Sequence, residues 1–81
     1  MHLYEVSISF HIGWKTKPYL VTDIYAESKN EAISEAMADV ADMICRNNPE
    51  YNRTGVLRAL TVDYVCLSQY LLVHVDRLAI S

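Results

Sequence analysis

The chain has 81 residues, of which 52 % are apolar and 21 % charged, so it is too apolar for a disordered segment and too short for several domains. Seven Lys and Arg residues stand against ten Asp and Glu residues, and the formal charge of −3 excludes a general attraction to phosphate backbones. We expect one globular domain over residues 1–81.

No basic segment followed by an apolar segment opens the sequence, and no run of about 18 uncharged apolar residues occurs in it. We therefore expect a cytoplasmic protein that contacts no membrane. Cys45 and Cys66 are the only cysteines, and they do not form a Cys-x-x-Cys motif. We interpret them as two reduced structural thiols.

Two strands are predicted in the first third of the chain. Apolar and polar residues alternate from Tyr4 to Ile12, which predicts a half-buried strand. Residues 13–18 begin with Gly and end with Pro, and they predict a hairpin loop. A second strand is predicted from Tyr19 to Glu27. Its alternation places Leu20, Thr22, Ile24 and Ala26 on one face and Tyr19, Val21, Asp23 and Tyr25 on the other.

A helix is predicted from about Lys29 to about Asn47. Ser28 and Glu31 have the spacing of a capping box, and Arg46 and Pro49 supply the cation and the helix breaker that are typical of a C-terminus. Between them, apolar residues recur at spacings of three and four and form one stripe: Ala32, Ile33, Ala36, Met37, Val40, Ala41 and Ile44.

The C-terminal third is richer in strand-forming residues. Residues 49–55 are polar and turn-forming, and a third strand is predicted from Val56 to Leu67. Beyond Ser68 the apolar residues fit both a strand and a helical stripe. The density of β-branched and aromatic residues favours a fourth strand, with a helix as the alternative.

These elements predict an α+β fold, in which an antiparallel sheet of three to four strands carries one helix on one face, in the order ββαβ or ββαββ. One helix covers one side of the sheet only. Tyr19, Val21 and Tyr25 would then leave apolar surface on the other side, where we expect another protein or a second copy to bind. In the alternative, these side chains lie along the surface and the sheet curls around its own core.

The predicted helix carries four carboxylates on its outer side at spacings of four, four and three. We call this surface the acidic face; it consists of Glu31, Glu35, Asp39 and Asp42. It matches a basic partner surface, such as one that normally holds nucleic acid. The alternative is an outer face that serves only solubility.

The predicted hairpin loop combines an aromatic ring with cations. Trp14 is followed by Lys15 and Lys17, an arrangement that suits a protein interface or the stacking of a base beside a phosphate. Trp14 can also simply pack on the sheet. Arg53 and Arg58 add further positive charges near the third strand.

No pattern in the sequence indicates catalysis. His2, His11 and His74 are far apart and share no ligand spacing with the two cysteines, so we expect no metal site. The chain has no Gly-rich phosphate loop and no nucleophile motif. We expect neither an enzyme nor a cofactor.

One segment resembles a known class of proteins. Ile-Tyr-Ala-Glu-Ser at residues 24–28 and Glu-Ala-Ile at residues 31–33 follow a predicted hairpin and precede a predicted strand. From Leu3 to Arg46 this arrangement resembles small bacteriophage proteins that disable host machines. Among them are the podophage inhibitor of bacterial RNA polymerase, whose Arg-bearing third strand Arg58 matches loosely, and anti-CRISPR proteins built as two strands, a helix and two strands.

The resemblance implies a phage or mobile-element protein that binds a host protein complex stoichiometrically and inhibits a CRISPR surveillance complex or RNA polymerase. One alternative is a homodimeric structural or assembly module whose sheet face pairs with itself. Another is a small nucleic-acid-binding regulator that uses Trp14, the two lysines, Arg53 and Arg58, although we expect no direct contact with nucleic acid. The predicted partner-binding residues are Glu31, Glu35, Asp39, Asp42, Trp14, Tyr19, Tyr25 and Arg58.

Overall fold

The computed structural model describes residues 1–68. Its sheet has the strand order β2-β1-β3, and all neighbouring strands are antiparallel. One long helix packs against a single face of the sheet, which confirms the predicted α+β class. The elements are β1 (His2–Ile12), β2 (Lys15–Ala26), α1 (Lys29–Asn47), α2 (Arg53–Arg58) and β3 (Leu60–Leu67).

The turn between β1 and β2 is shorter than the sequence suggests. Ile12 pairs with Lys15, so only Gly13 and Trp14 form the turn, and the predicted loop over residues 13–18 is wrong. Gly13 has a φ of 59°, which fits the first position of a type II′ turn. Pro18 lies inside β2. It is tolerated there because β2 is an edge strand of the described sheet, where a backbone N–H can be absent without loss of a hydrogen bond.

A bulge interrupts β2 near its C-terminal end. Two of its residues, Thr22 and Asp23, lie opposite a single residue of β1, Glu5. Asp23 has a φ of 60°, in the left-handed region that Asp tolerates better than most residues. Because side chains alternate between the faces of a strand, one extra residue exchanges the faces of all residues on one side of the bulge.

The bulge therefore turns two predicted surface residues toward the helix. Tyr19 and Val21 pair with Ile8 and Val6 and pack against the core, whereas Tyr25 lies on the opposite side. The prediction that Tyr19, Val21 and Tyr25 share one face is wrong, because simple alternation does not account for an inserted residue.

Helix α1 begins and ends at the predicted residues. The Ser28 hydroxyl accepts a hydrogen bond from the Glu31 amide at 3.2 Å. The Glu31 carboxylate accepts from the Glu27 amide at 3.3 Å, one residue before the amide that a capping box predicts. The side of α1 that faces the sheet buries Ala32, Ala36, Val40, Ala41 and Ile44.

The core lies between α1 and the central strand. Val6 and Ile8 of β1 are fully buried, and Phe10 is nearly so. The small side chains along α1 allow the helix to approach these larger residues closely.

The third strand is shorter than predicted. Residues 56–58 belong to α2, which begins after Asn52, whose side chain accepts a hydrogen bond from the Thr54 amide at 2.8 Å. Val56 is buried at the edge of the core. The strand prediction was wrong here because a helix of six residues is too short to show a helical period. The predicted fourth strand lies in residues 69–81, outside the described part of the chain.

Candidate functional site

The side of the sheet opposite α1, which we call the open face, has a polar centre. Glu5, Ser7, Ser9 and His11 of β1 form this centre, because they alternate with the buried residues of the same strand. The prediction of an apolar face at this position is therefore wrong for the middle of the sheet.

His11 links all three strands on the open face. Its Nδ1 atom lies 3.2 Å from the hydroxyl oxygen of Thr16 on β2, and its Nε2 atom lies 2.8 Å from that of Thr61 on β3. Both ring nitrogens thus have hydrogen-bond partners within the protein. This arrangement makes His11 a structural residue of the sheet.

A second bulge places the carboxylate of Asp63 beside the polar centre of the open face. Ser7 pairs with Tyr64 and Ile8 pairs with Val62, so Asp63 is an extra residue of β3. Its Oδ2 atom accepts hydrogen bonds from the hydroxyl of Ser9 at 2.6 Å and from that of Ser7 at 3.5 Å.

Tyr64 and Glu5 form a further polar pair on the open face. The Tyr64 hydroxyl donates a hydrogen bond to Glu5 Oε2 at 2.9 Å. This bond to a carboxylate is the main reason that the pKa of Tyr64 lies above its ordinary value, and partial desolvation and the negative charge of Glu5 act in the same direction.

Apolar side chains on this face are found mainly along β2. Leu20 is 57 % exposed and Tyr25 is 63 % exposed. They flank the polar centre, since Leu20 pairs with Ser7 and Tyr25 pairs with Leu3. Of the three residues predicted to form an apolar sheet face, only Tyr25 is exposed there.

The acidic face forms on α1 as predicted by its spacing, and all four carboxylates are exposed. The Glu31 carboxylate accepts a hydrogen bond from the Glu27 amide, and Asp42 forms an ion pair with Arg53 of α2. Among residues 1–68, Glu35 and Asp39 make no side-chain hydrogen bond or ion pair. Within the described part of the chain, the middle of the acidic face therefore has no polar partner.

The turn between β1 and β2 presents an exposed aromatic ring. Trp14 is 89 % exposed, and Lys15 Nζ lies 5.1 Å from the centre of its ring. Lys17 Nζ lies 5.6 Å from the ring centre of Tyr19, which is half-buried. The indole of Trp14 is thus shielded by one lysine and otherwise open to solvent.

A groove lies beside this turn, and we call it the tip groove. Residues 10–13 line one side, and the segment between residues 50 and 59 lines the other. Its volume is about 370 Å³, and it is a shallow depression that is largely open to solvent. Phe10 and Tyr51 pack edge to face in its wall, with ring centres 6.3 Å apart. Sequence reasoning missed this groove because its two sides are about 40 residues apart in the chain.

The eight predicted partner-binding residues do not form one surface. Four lie on α1, Trp14 lies at the turn, and Tyr19 and Tyr25 face opposite sides of the sheet. Arg58 is exposed at the last residue of α2. The structure thus separates the prediction into an acidic face, an aromatic turn and isolated residues.

Within residues 1–68, no three His, Cys, Asp or Glu side chains come together in a way that could hold a metal ion. No helix in the same region has the length and apolar character needed to cross a membrane. Comparisons with protein-family models, with curated proteins and with solved structures find no match. The function must therefore be inferred from the geometry of the chain itself.

Proposed function

We propose that this protein acts by stoichiometric protein binding and inhibits a host nucleic-acid machine, such as a CRISPR surveillance complex or an RNA polymerase, as a small phage or mobile-element protein. The acidic face of α1 carries the proposal. Residues 27–42 contain five carboxylates and one lysine, and the two central carboxylates, Glu35 and Asp39, have no partner in the described chain.

This concentration of charge is unfavourable in the free protein. Like charges at a spacing of four destabilise a helix by about 0.2–0.5 kcal/mol per pair. A cationic partner removes that repulsion and forms favourable charge pairs with both carboxylates. Machines that hold nucleic acid line their channels with Lys and Arg, so their surfaces offer the complementary charge. Such complementarity also speeds association.

The other functions considered from the sequence have weaker support. Two observations oppose direct binding of nucleic acid: the protein has a net negative charge, and Arg53 is paired with Asp42. For a homodimer formed through the sheet, the centre of the open face is polar and hydrogen-bonded within the chain. A homodimer formed at a different surface has independent support, which is developed in the next subsection.

The proposal is tested by adding the purified protein to two reconstituted assays. One measures transcription by the host RNA polymerase, and the other measures target-DNA binding by the host surveillance complex. We expect inhibition of one of them that saturates at a fixed ratio of protein to complex and weakens with added salt.

A pair of variants tests the role of the acidic face. The double substitution Glu35→Gln and Asp39→Gln should weaken inhibition by about tenfold or more, because two charge pairs are lost. The control, Thr22→Lys with Thr54→Lys, changes the net charge by the same amount on other exposed residues and keeps both carboxylates. Equal loss with both variants, or no inhibition in either assay, would contradict the proposal.

A further inference from the structure

The protein carries both an exposed anchor and a groove that could receive it. Trp14 is the only tryptophan of the chain, and nearly all of its surface is accessible. Tryptophan is among the residues that contribute most to protein interfaces, since it buries about 150–250 Å². The tip groove of about 370 Å³ lies beside it and has an aromatic wall.

The position of Trp14 relative to the groove fits a symmetric exchange. Gly13 lines the groove, and Trp14 is the next residue, so anchor and groove are adjacent in each copy. In a two-fold dimer, each contact occurs twice with the roles of the copies exchanged. Because anchor and groove are adjacent, a two-fold axis near the turn can form both contacts at once.

The charges around the turn and the groove are complementary. Glu50 is the acidic residue in the lining of the groove, and Lys15 follows Trp14 directly. Entry of Trp14 into the groove of a second copy would bring Lys15 toward Glu50 of that copy. Space is available, because a Cβ atom built on Gly13 or Gly55 would meet nothing within 4 Å.

We propose that two copies of this chain form a two-fold dimer in which Trp14 of each copy enters the tip groove of the other and Lys15 pairs with Glu50. The partner is a second copy because one chain supplies both halves of the contact. The dimer goes beyond the proposed inhibition, since it uses neither Glu35 nor Asp39.

The single tryptophan allows a direct test. Sedimentation equilibrium and tryptophan fluorescence are measured on the full chain over a wide range of concentration. We expect the mass to rise from 9.3 kDa toward twice that value, and the emission to shift to shorter wavelength over the same concentrations. The rise in mass reports dimerisation, and the emission shift reports the transfer of Trp14 from water into the groove.

Variants locate the contact. Gly55→Leu fills the groove while keeping Trp14, and it should abolish both the rise in mass and the emission shift. Gly55 is helical and has open space around it, so leucine should not disturb the fold, as circular dichroism can verify. Trp14→Ala should also remain monomeric.

A charge exchange tests the proposed ion pair. Lys15→Glu and Glu50→Lys should each weaken the dimer, whereas the double variant should restore it. Lys17→Glu, with the same change of charge two residues away, is the control and should leave the dimer unchanged. Glu35→Gln with Asp39→Gln should also dimerise normally, which separates this test from that of the proposed function.

Three results would overturn the dimer. The first is a monomer at every concentration with the emission of an exposed tryptophan. The second is a dimer whose emission does not shift and that tolerates Gly55→Leu, which would indicate another interface. The third is an emission shift that occurs only after addition of a host complex, which would assign the groove to a different partner.

Discussion

Ser9 on the central strand donates a hydrogen bond of 2.6 Å to Asp63, the extra residue in the bulge of β3. The bulge brings Val62 and Val65 to the same side of the sheet although they are three positions apart. Without the extra residue, strict alternation would place one of them on the open face. The Ser9–Asp63 hydrogen bond thus stabilises the bulge of β3, which places both valines on the core side of the sheet.

We expect Asp63→Ala to lower the free energy of unfolding by about 1–3 kcal/mol, because the largely buried Ser9 hydroxyl loses a charged acceptor. Urea unfolding followed by circular dichroism measures the change. Ser7→Ala is the control: its bond to Asp63 is 3.5 Å long, and its loss should cost less than about 0.5 kcal/mol. Equal costs for Asp63→Ala and Ser7→Ala would argue against this account of the bulge.

The two glycines should respond in opposite ways to the same substitution. Gly13→Ala should destabilise the protein by about 1–2 kcal/mol, because alanine is strained at a φ of 59°. Gly55→Ala should stabilise it by about 0.5–1 kcal/mol, because Gly55 is helical and has room for a methyl group. Thermal unfolding of the two variants provides the comparison. A stabilising effect of Gly13→Ala would contradict the described turn.

Tyr64 should remain protonated to higher pH than an ordinary tyrosine, whose pKa is 10.0. A raised pKa in the folded state means that the hydrogen bond to Glu5 stabilises the protein fully below pH 10 and that this contribution disappears as the pH rises through the folded-state pKa. Phenolate absorbance of the wild type minus that of Tyr64→Phe isolates this titration. Glu5→Ala should move the pKa of Tyr64 back toward 10.0, and an unchanged titration would exclude Glu5 as the cause.

Loss of the helix cap should have a measurable cost. Ser28→Ala removes the hydroxyl that accepts from the Glu31 amide, and we expect a decrease of about 0.5–2 kcal/mol in the free energy of unfolding. Ser34→Ala is a matched control on the exposed side of the same helix, where alanine should be neutral or slightly stabilising. If both variants behaved alike in urea unfolding, the cap would not be the source of the stability.

The long helix could be predicted from the sequence because several independent signals agree on it. Ser28, Arg46 and Pro49 mark its ends, and the apolar stripe from Ala32 to Ile44 repeats over between three and four turns. Local hydrogen bonds and a single buried side determine such an element. The acidic face could be predicted for the same reason, since its residues have fixed spacings on one helix.

The face of the sheet on which each strand residue lies could be predicted from the sequence only as far as the first bulge in the strand. Asp23 and Asp63 each add one residue to a strand, and each insertion depends on how that strand aligns with β1. Alternation within one strand contains no information on this alignment. For this reason Tyr19 and Val21 were assigned to the wrong side.

The tip groove depends on tertiary contacts and could not be predicted from local pattern. It forms where the end of β1 meets the segment around Tyr51, and the amide of His11 donates to the carbonyl of Ala59 at 3.0 Å in the same region. Short-range periodicity describes neither contact. The two lysines that follow Trp14 in the predicted loop make it a candidate in the sequence, but they do not indicate what could receive it.

The central position of β1 also has a consequence for how the chain folds. β1 precedes β2 and β3 in the chain, and β2 can pair with it across a two-residue turn, but its other edge must wait for pairs such as Phe10 with Leu60, about 50 positions away. Closing so long a loop costs more entropy than forming the hairpin. During translation, that edge of β1 therefore stays without its backbone partner until β3 has also left the ribosome.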